Sequence, residues 1–290
     1  MTACVARTTL EPVETLNDIA ALERFQPNAG EIVLIPTMGA LHSGHESLIR
    51  YGASLASARR GTCIVWIFVN PTQFNDPADY ARYPKTLDSD LSICRRAGAG
   101  AVFVPSKEEI YPSGIEIRVP ELPRVATKPG LEDAKRPGHF AGVCQVVLRF
   151  FELVKPNVAV FGEKDWQQLQ VVRAMAAREM PRVEILAMPT VREEDGLAMS
   201  SRNRFLSAED RVRALALSRA LRGAGSESSP RAAEQSMSSV LLQAGVEPEY
   251  AVVRDAATLE QPGDGPKRAL IAARVGSVRL IDNAEWPAQG

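Results

Sequence analysis

The sequence predicts an α/β protein: a parallel sheet covered by helices on both faces, followed by a smaller α+β domain. Up to about residue 189, short apolar runs alternate with segments of helical spacing, as expected of parallel strands joined by crossover helices. Beyond that point the alternation stops. At 290 residues, with 45% hydrophobic and 24% charged side chains, the chain is long enough for one large domain and a smaller one and has an ordinary globular composition.

In chain order, EIVLIPT from Glu31 reads as a buried strand, MGALHSGH as a tight loop and ESLIRYGASLASARR as a helix. TCIVWIFVN from Thr62 is a second strand, followed by a polar loop, a helix over about 87–97 and the strand AVFVP from Ala101. A long apolar helix over 143–155 leads to the strand VAVF, the turn GEKD, the helix QQLQVVRAMAARE and the strand VEILAMP from Val183. The boundary falls at Pro189, dividing the chain into 1–189 and 190–290. The second part carries helices near 208–222 and 232–244, an exposed Gly/Ser-rich break at 223–230, and strands near Tyr250, Ala269 and Val278.

Lys and Arg number 34 against 35 Asp and Glu, so a net charge of −1 provides no global field for nucleic acid or an anionic membrane. The start, MTACVARTTLEPVE, lacks the apolar run of a secretory signal, and no stretch is long enough to span a bilayer, so the expectation is a soluble cytoplasmic protein. Cys4, Cys63, Cys94 and Cys144 are scattered without a CxxC pair and read as small buried hydrophobes.

Two of the chain's three histidines, His42 and His45, sit three apart in HSGH directly after the first strand. Loops at the C-terminal ends of parallel strands are where open α/β sheets bind ligands, and the following helix start offers backbone N–H groups to an anion. Gly39 and Gly44 would allow close approach of a phosphate or purine, and the imidazoles could donate to phosphate oxygens. The plainer alternative is a glycine-shaped turn with histidines capping the helix. A zinc site would need a third ligand, such as His139, that no spacing signals, and no P-loop lysine follows the glycines. FGEKD places Lys164 and Asp165 at the same sheet edge, where a lysine can neutralise phosphoryl charge and an aspartate can hold ribose or a cation. Asn70, Gln73, Gln167 and Gln168 are neutral amides able to hold substrate hydroxyls without blunting a carboxylate nucleophile. Ser200, Ser201 and Arg202 in MSSRN suit a triphosphate clamp.

The segments PTMGALHSGH, FVNPTQF, YPKTLDSD, RPGHFAGV, FGEKDWQQL and PTVREEDGLAMSSRN stand in the order and at about the spacing of the pantothenate synthetase family, which the chain resembles from about residue 35 to 205. The resemblance implies a Rossmann-like, HxGH nucleotidyltransferase-type fold with a small C-terminal lid. It implies ATP-dependent joining of pantoate to β-alanine through a pantoyl-adenylate, with Mg accompanying ATP, and a homodimer. It further implies that His45, His42 and Lys164 are catalytic. ATP would be bound by Met38, Gly39, Ala40, Leu41, His42, Ser43, Gly44 and His45, by Gly162, Glu163, Lys164 and Asp165, and by Val191, Met199, Ser200, Ser201 and Arg202. Gln73 and Gln168, with Asn70, would hold the substrate. Asp88 and Asp90 are candidates for reaching the metal. Glu46 and Gln145 depart from the family's usual apolar residue and threonine. A nucleotidylyltransferase, a tRNA synthetase of the same fold and an inert nucleotide-binding module are the alternatives. The intact set of His42, His45, Lys164 and Arg202 disfavours the last.

Overall fold

The computed structural model describes residues 13–25 and 30–288; Cys4 lies outside them. Six parallel strands form the large sheet: β1 (Glu14–Leu16), β2 (Ile32–Thr37), β3 (Thr62–Ile67), β4 (Ala101–Phe103), β5 (Val158–Gly162) and β6 (Glu184–Met188), in the order β1-β4-β3-β2-β5-β6. The edge strand β1 was not expected: only three residues long, with one buried, it has too little apolar pattern to read. Strand β3 is buried throughout, because helices cover both faces and leave no solvent side to alternate with.

Helices α1 (Ile19–Arg24), α2 (Ser43–Ala58), α3 (Pro77–Arg82), α4 (Leu87–Ala97), α5 (Lys107–Ile110), α6 (Glu132–Lys135), α7 (His139–Val154) and α8 (Trp166–Glu179) lie in the connections between these strands. Successive residues of β2 serve opposite cores, as the two-residue period requires. Leu34 packs with Phe150 and Phe151 of α7, whereas Val33 and Ile35 pack with Ile49 of α2 and Cys94 of α4. Helix α7 starts four residues earlier than the apolar spacing suggested and brings His139 into its first turn. Cys63, Cys94 and Cys144 are buried and unbridged, as expected. The two departures noted above are accommodated. Glu46 pairs with Arg50 and Arg96, and the Gln145 amide donates to the Ile117 carbonyl at 2.7 Å.

After β6 come α9 (Ala208–Ala224), α10 (Pro230–Gln243) and an antiparallel sheet of β7 (Pro248–Asp255), β8 (Lys267–Val275) and β9 (Val278–Trp286). The break before α10 is shorter than expected, since Ser229 caps the helix and Pro230 is its first residue, where a missing N–H costs nothing. Helices and sheet enclose their own core around Leu217, Met237 and Ile271. Leu259 and Leu270 instead join the core of the large sheet, so the two parts share apolar packing. Among the described residues no helix is long and apolar enough to cross a membrane.

Candidate active site

The order of the large sheet reverses at β2, with β3 on one side and β5 on the other. Ligand crevices form at such a switch point, outside the carboxyl ends of the strands. The loop after β2 carries His42 and His45 and the turn after β5 carries Lys164 and Asp165; all four line one cavity.

The HSGH loop is held by an anchor the sequence did not reveal. Gly39 and Ala40 both adopt left-handed backbone, with φ of 77° and 51°. The buried Asp90 on α4 accepts the Ala40 and Leu41 amides at 3.0 and 2.8 Å and the Thr86 hydroxyl at 3.1 Å. Burial pushes its carboxyl above the usual range despite these donors. Asp90 is therefore a loop anchor rather than a candidate metal ligand, and Asp88 is exposed on α4. Gly39, Ala40 and Leu41, expected to touch ATP, do not line the cavity and shape the loop instead. Ser43 is exposed, its hydroxyl against the Met199 sulfur at 2.8 Å. Met38 and Gly44 line the cavity.

His42 caps α2, its Nδ1 accepting the Gly44 amide at 3.2 Å, and His45 Nδ1 accepts the His42 amide at 3.3 Å. Each neutral ring then carries its proton on Nε2, free for a ligand. Both rings are neutral at ordinary pH: burial, reinforced by Lys164, lowers His42 to about 4, and burial with His42 beside it lowers His45 to about 3. The ring centroids are 4.1 Å apart, so two adjacent donors face one site.

Lys164 and Asp165 occupy a 3-10 turn, Glu163–Asp165, and lie 3.7 Å apart. Burial would raise the Asp165 carboxyl, but Lys164, Arg202 and Arg136 outweigh it and hold it below the usual value. Gly162 lines the cavity, whereas Glu163, expected with it, points to Arg268 at 2.9 Å. Successive side chains of a 3-10 turn project about 120° apart, so the whole run cannot face one ligand.

Gln73 and Gln168 line the cavity. Asn70 does too, but its amide is consumed: Nδ2 donates to Gln73 Oε1 and the Gly142 carbonyl at 3.2 and 3.1 Å, and Oδ1 accepts from Tyr111 and Thr72. Asn70 thus orients Gln73 rather than offering itself to substrate. Helix α7 approaches this turn so closely that a side chain at Gly142 would overlap the Thr72 carbonyl. Gln167 faces away, bonded to Val125, Glu132 and Asp133. Val191, Met199, Ser200, Ser201 and Arg202 line the cavity from the segment after β6, Arg202 pairing with Asp79 at 3.2 Å.

Several lining residues were missed by sequence reasoning. His139, weighed only as a metal ligand, instead shares the Gln73 carbonyl with Arg136, at 2.8 and 3.4 Å. Burial and Arg136 lower its imidazole to about 4. Val143, Val146, Val147 and Phe161 form an apolar wall. A second, larger cleft of about 610 Å³ reaching the β8–β9 turn shares Arg136, Lys164 and Arg202 with the first cavity, so the cations stand where the two chambers meet. The only signal for Arg136 and His139 lay in the string RPGHFAGV, where nothing local distinguishes them from an ordinary helix start.

Comparison with known proteins shows the family and the fold. Residues 9–285 match the family described as pantoate-beta-alanine ligase. The chain is 45% identical to the pantothenate synthetase of a Nocardioides species over 93% of its length and 83% of that protein. It is 44% identical to that of Xanthomonas euvesicatoria over 94% of its length and the whole of that protein. The crystal structure of pantothenate synthetase from Thermus thermophilus superposes with a TM-score of 0.87 at 40% identity, covering 95% of this chain and 100% of that one. A pantoate-beta-alanine ligase from Francisella tularensis, complexed with beta-gamma ATP and beta-alanine, gives 0.77 at 32% identity, covering 94% and 97%. The chain therefore belongs to the pantoate–β-alanine ligase family and is an enzyme of the ligase class.

Proposed function

We propose that this chain condenses pantoate with β-alanine at the expense of ATP, in two steps. The pantoate carboxylate attacks the α-phosphorus of ATP and pyrophosphate leaves; the β-alanine amine then attacks the pantoyl-adenylate and releases AMP. The observation that carries this reading is the meeting of His42, His45 and Lys164 in one cavity with the amides of Gln73 and Gln168. Neutral amides can hold pantoate without drawing electron density from its carboxylate, while Nε2–H donors and the lysine serve charge developing on the phosphates. The apolar wall of Val143, Val146 and Val147 suits the branched hydrocarbon of pantoate and keeps water from the mixed anhydride. The other half of the nucleotide site would be Val191, Met199, Ser200, Ser201 and Arg202.

ATP would carry magnesium. The donors fit an ion held chiefly by phosphate oxygens: Asp165 is an ionised carboxylate on the cavity wall, and among the described residues no group of three or more potential ligands forms a closed cage. Asp165 would hold the ion, which neutralises phosphate charge when bound. The homodimer implied by the resemblance and the cytoplasmic location expected from the sequence belong to the same proposal.

Product analysis with ATP, pantoate and β-alanine should give pantothenate, AMP and pyrophosphate, with AMP dependent on both acid and amine. With pantoate alone, the bridging oxygen of labelled ATP should scramble. An unscrambled label with no trapped adenylate overturns the two-step scheme.

A further inference from the structure

We propose that Asp282 and Asn283, neighbours on β9, are positioning residues for the two halves of the phosphate site. Asn283 sets the turn that presents Lys164, and Asp282 sets the loop that leads to Met199 and Arg202. The proposal rests on the functional reading above, in which Lys164 serves the phosphates.

Asn283 is 3% exposed and uses both ends of its amide. Its Nδ2 donates to the Glu163 and Lys164 carbonyls at 3.0 and 2.8 Å, and its Oδ1 accepts from Arg268 Nε at 2.7 Å. Arg268, 4% exposed, lies 3.7 Å over the Trp166 ring and donates to Glu163 at 2.9 Å. Trp166 in turn donates to the Ala256 carbonyl at 2.8 Å. Residues 163, 164 and 166 are thus all fastened to the small domain, and the Lys164 ammonium projects from a backbone that the first domain holds only in part.

One residue earlier, Asp282 is likewise buried and accepts both Arg192 guanidinium nitrogens, at 2.7 and 3.0 Å. Arg192 bridges Ala198 across a short hairpin, and the Met199 amide donates to the Val191 carbonyl at 3.0 Å. Asp282 therefore sets where Val191 and the Met199–Arg202 run begin. The Asn283 backbone N–H closes the pair by donating to Asp282 Oδ1 at 2.8 Å. With both loops tied to adjacent residues of one strand, β9 sets the separation of Lys164 from the clamp residues. A swing of the small domain must either carry the Lys164 turn along or break buried hydrogen bonds, which are strong where water cannot compete. Neither residue needs to touch the nucleotide.

The two sites should give opposite kinetic signatures. Asn283→Asp removes both donations and places charge against two carbonyls. Single-turnover adenylate formation should slow about a hundredfold through misplacement of Lys164, with little change in KM for ATP. Asp282→Asn weakens the grip on Arg192 and should raise KM for ATP about tenfold, the loss of a charged hydrogen bond, with little change in the saturated rate. In a Lys164→Ala background, Asn283→Asp should cost little more. Equal cost in both backgrounds, or a wild-type chemical step in folded Asn283→Asp, overturns the positioning role while leaving the functional reading intact. A normal chemical step in Lys164→Ala alone overturns that reading, and the proposal with it. Should Asn283→Asp fail to fold, Asn283→Ala removes the same donors without adding charge and must show the same pattern.

Discussion

Replacing Asp90 by alanine tests whether the HSGH loop is held from α4. The carboxylate is the acceptor for the Ala40 and Leu41 amides, which belong to residues 1% and 6% exposed. Alanine leaves two buried N–H groups without a partner, at about 1–3 kcal/mol each. It also frees a segment in which Ala40 sits at φ 51°, a strained conformation costing on the order of 1 kcal/mol that the loop can then relax. His42 and His45 follow directly, and a shift of about 1 Å at a reacting group can cost roughly a hundredfold in rate. Urea unfolding should therefore show a net loss of about 1–5 kcal/mol, and single-turnover adenylate formation should slow about a hundredfold at an unchanged magnesium requirement. Asp90→Asn keeps one acceptor oxygen and should fall between alanine and wild type in both measurements. Wild-type stability in Asp90→Ala, together with a rate restored by excess magnesium, would refute the anchor and return Asp90 to the metal.

Acid should act on stability before it acts on chemistry. His42, His45 and His139 are lowered from 6.5 to about 4, 3 and 4, so below pH 6.5 the unfolded chain binds more protons than the folded one. The urea midpoint should be insensitive to these groups above about pH 7 and fall as the pH drops from 6.5 toward 3; imidazole NMR titrations with midpoints near the ordinary value would contradict this. Glu132 of α6 is 5% exposed and accepts Arg279 of β9 at 2.6 and 2.8 Å and the Tyr250 hydroxyl of β7 at 2.8 Å. Arg279→Met leaves the buried Glu132 with the Tyr250 hydroxyl and Arg136 at 3.8 Å and should cost about 3 kcal/mol, the low end for breaking a buried pair, and Glu132→Gln in the same chain should recover part of it; additive urea data from the two substitutions would rule out the coupling.

How much was legible followed from how local each feature is in the chain. Strands β2 and β5 and the loops behind them could be read because an apolar run, its terminal turn and the next helix are contiguous. The three-residue spacing of His42 and His45 already placed both rings on one side of a helix start. The contacts that anchor the site from afar could not be read. Asp90 acts across about fifty residues and was read as a candidate for the metal rather than as an anchor, while Asn283 acts across 119 and looks like an ordinary polar residue of its strand. Asn70 and Glu163 were assigned to the right neighbourhood with the wrong direction, since spacing locates a backbone without saying which contact takes the side chain.

The two readings of HSGH, helix cap and catalytic pair, turn out to be compatible, and the reason lies in the two nitrogens of each ring. Capping uses Nδ1 as an acceptor, which requires the ring to be neutral and its proton to sit on Nε2. Burial enforces the same neutrality, holding His42 near 4 and His45 near 3. A protonated ring would lose the cap and place fixed positive charge in the cavity; a neutral one keeps the helix start ordered and aims a single donor outward. The local stability of α2 and the donor chemistry proposed for the phosphates thus depend on the same protonation state. Any substitution that keeps only one function, such as asparagine for the cap, should preserve the helix while losing the donor geometry.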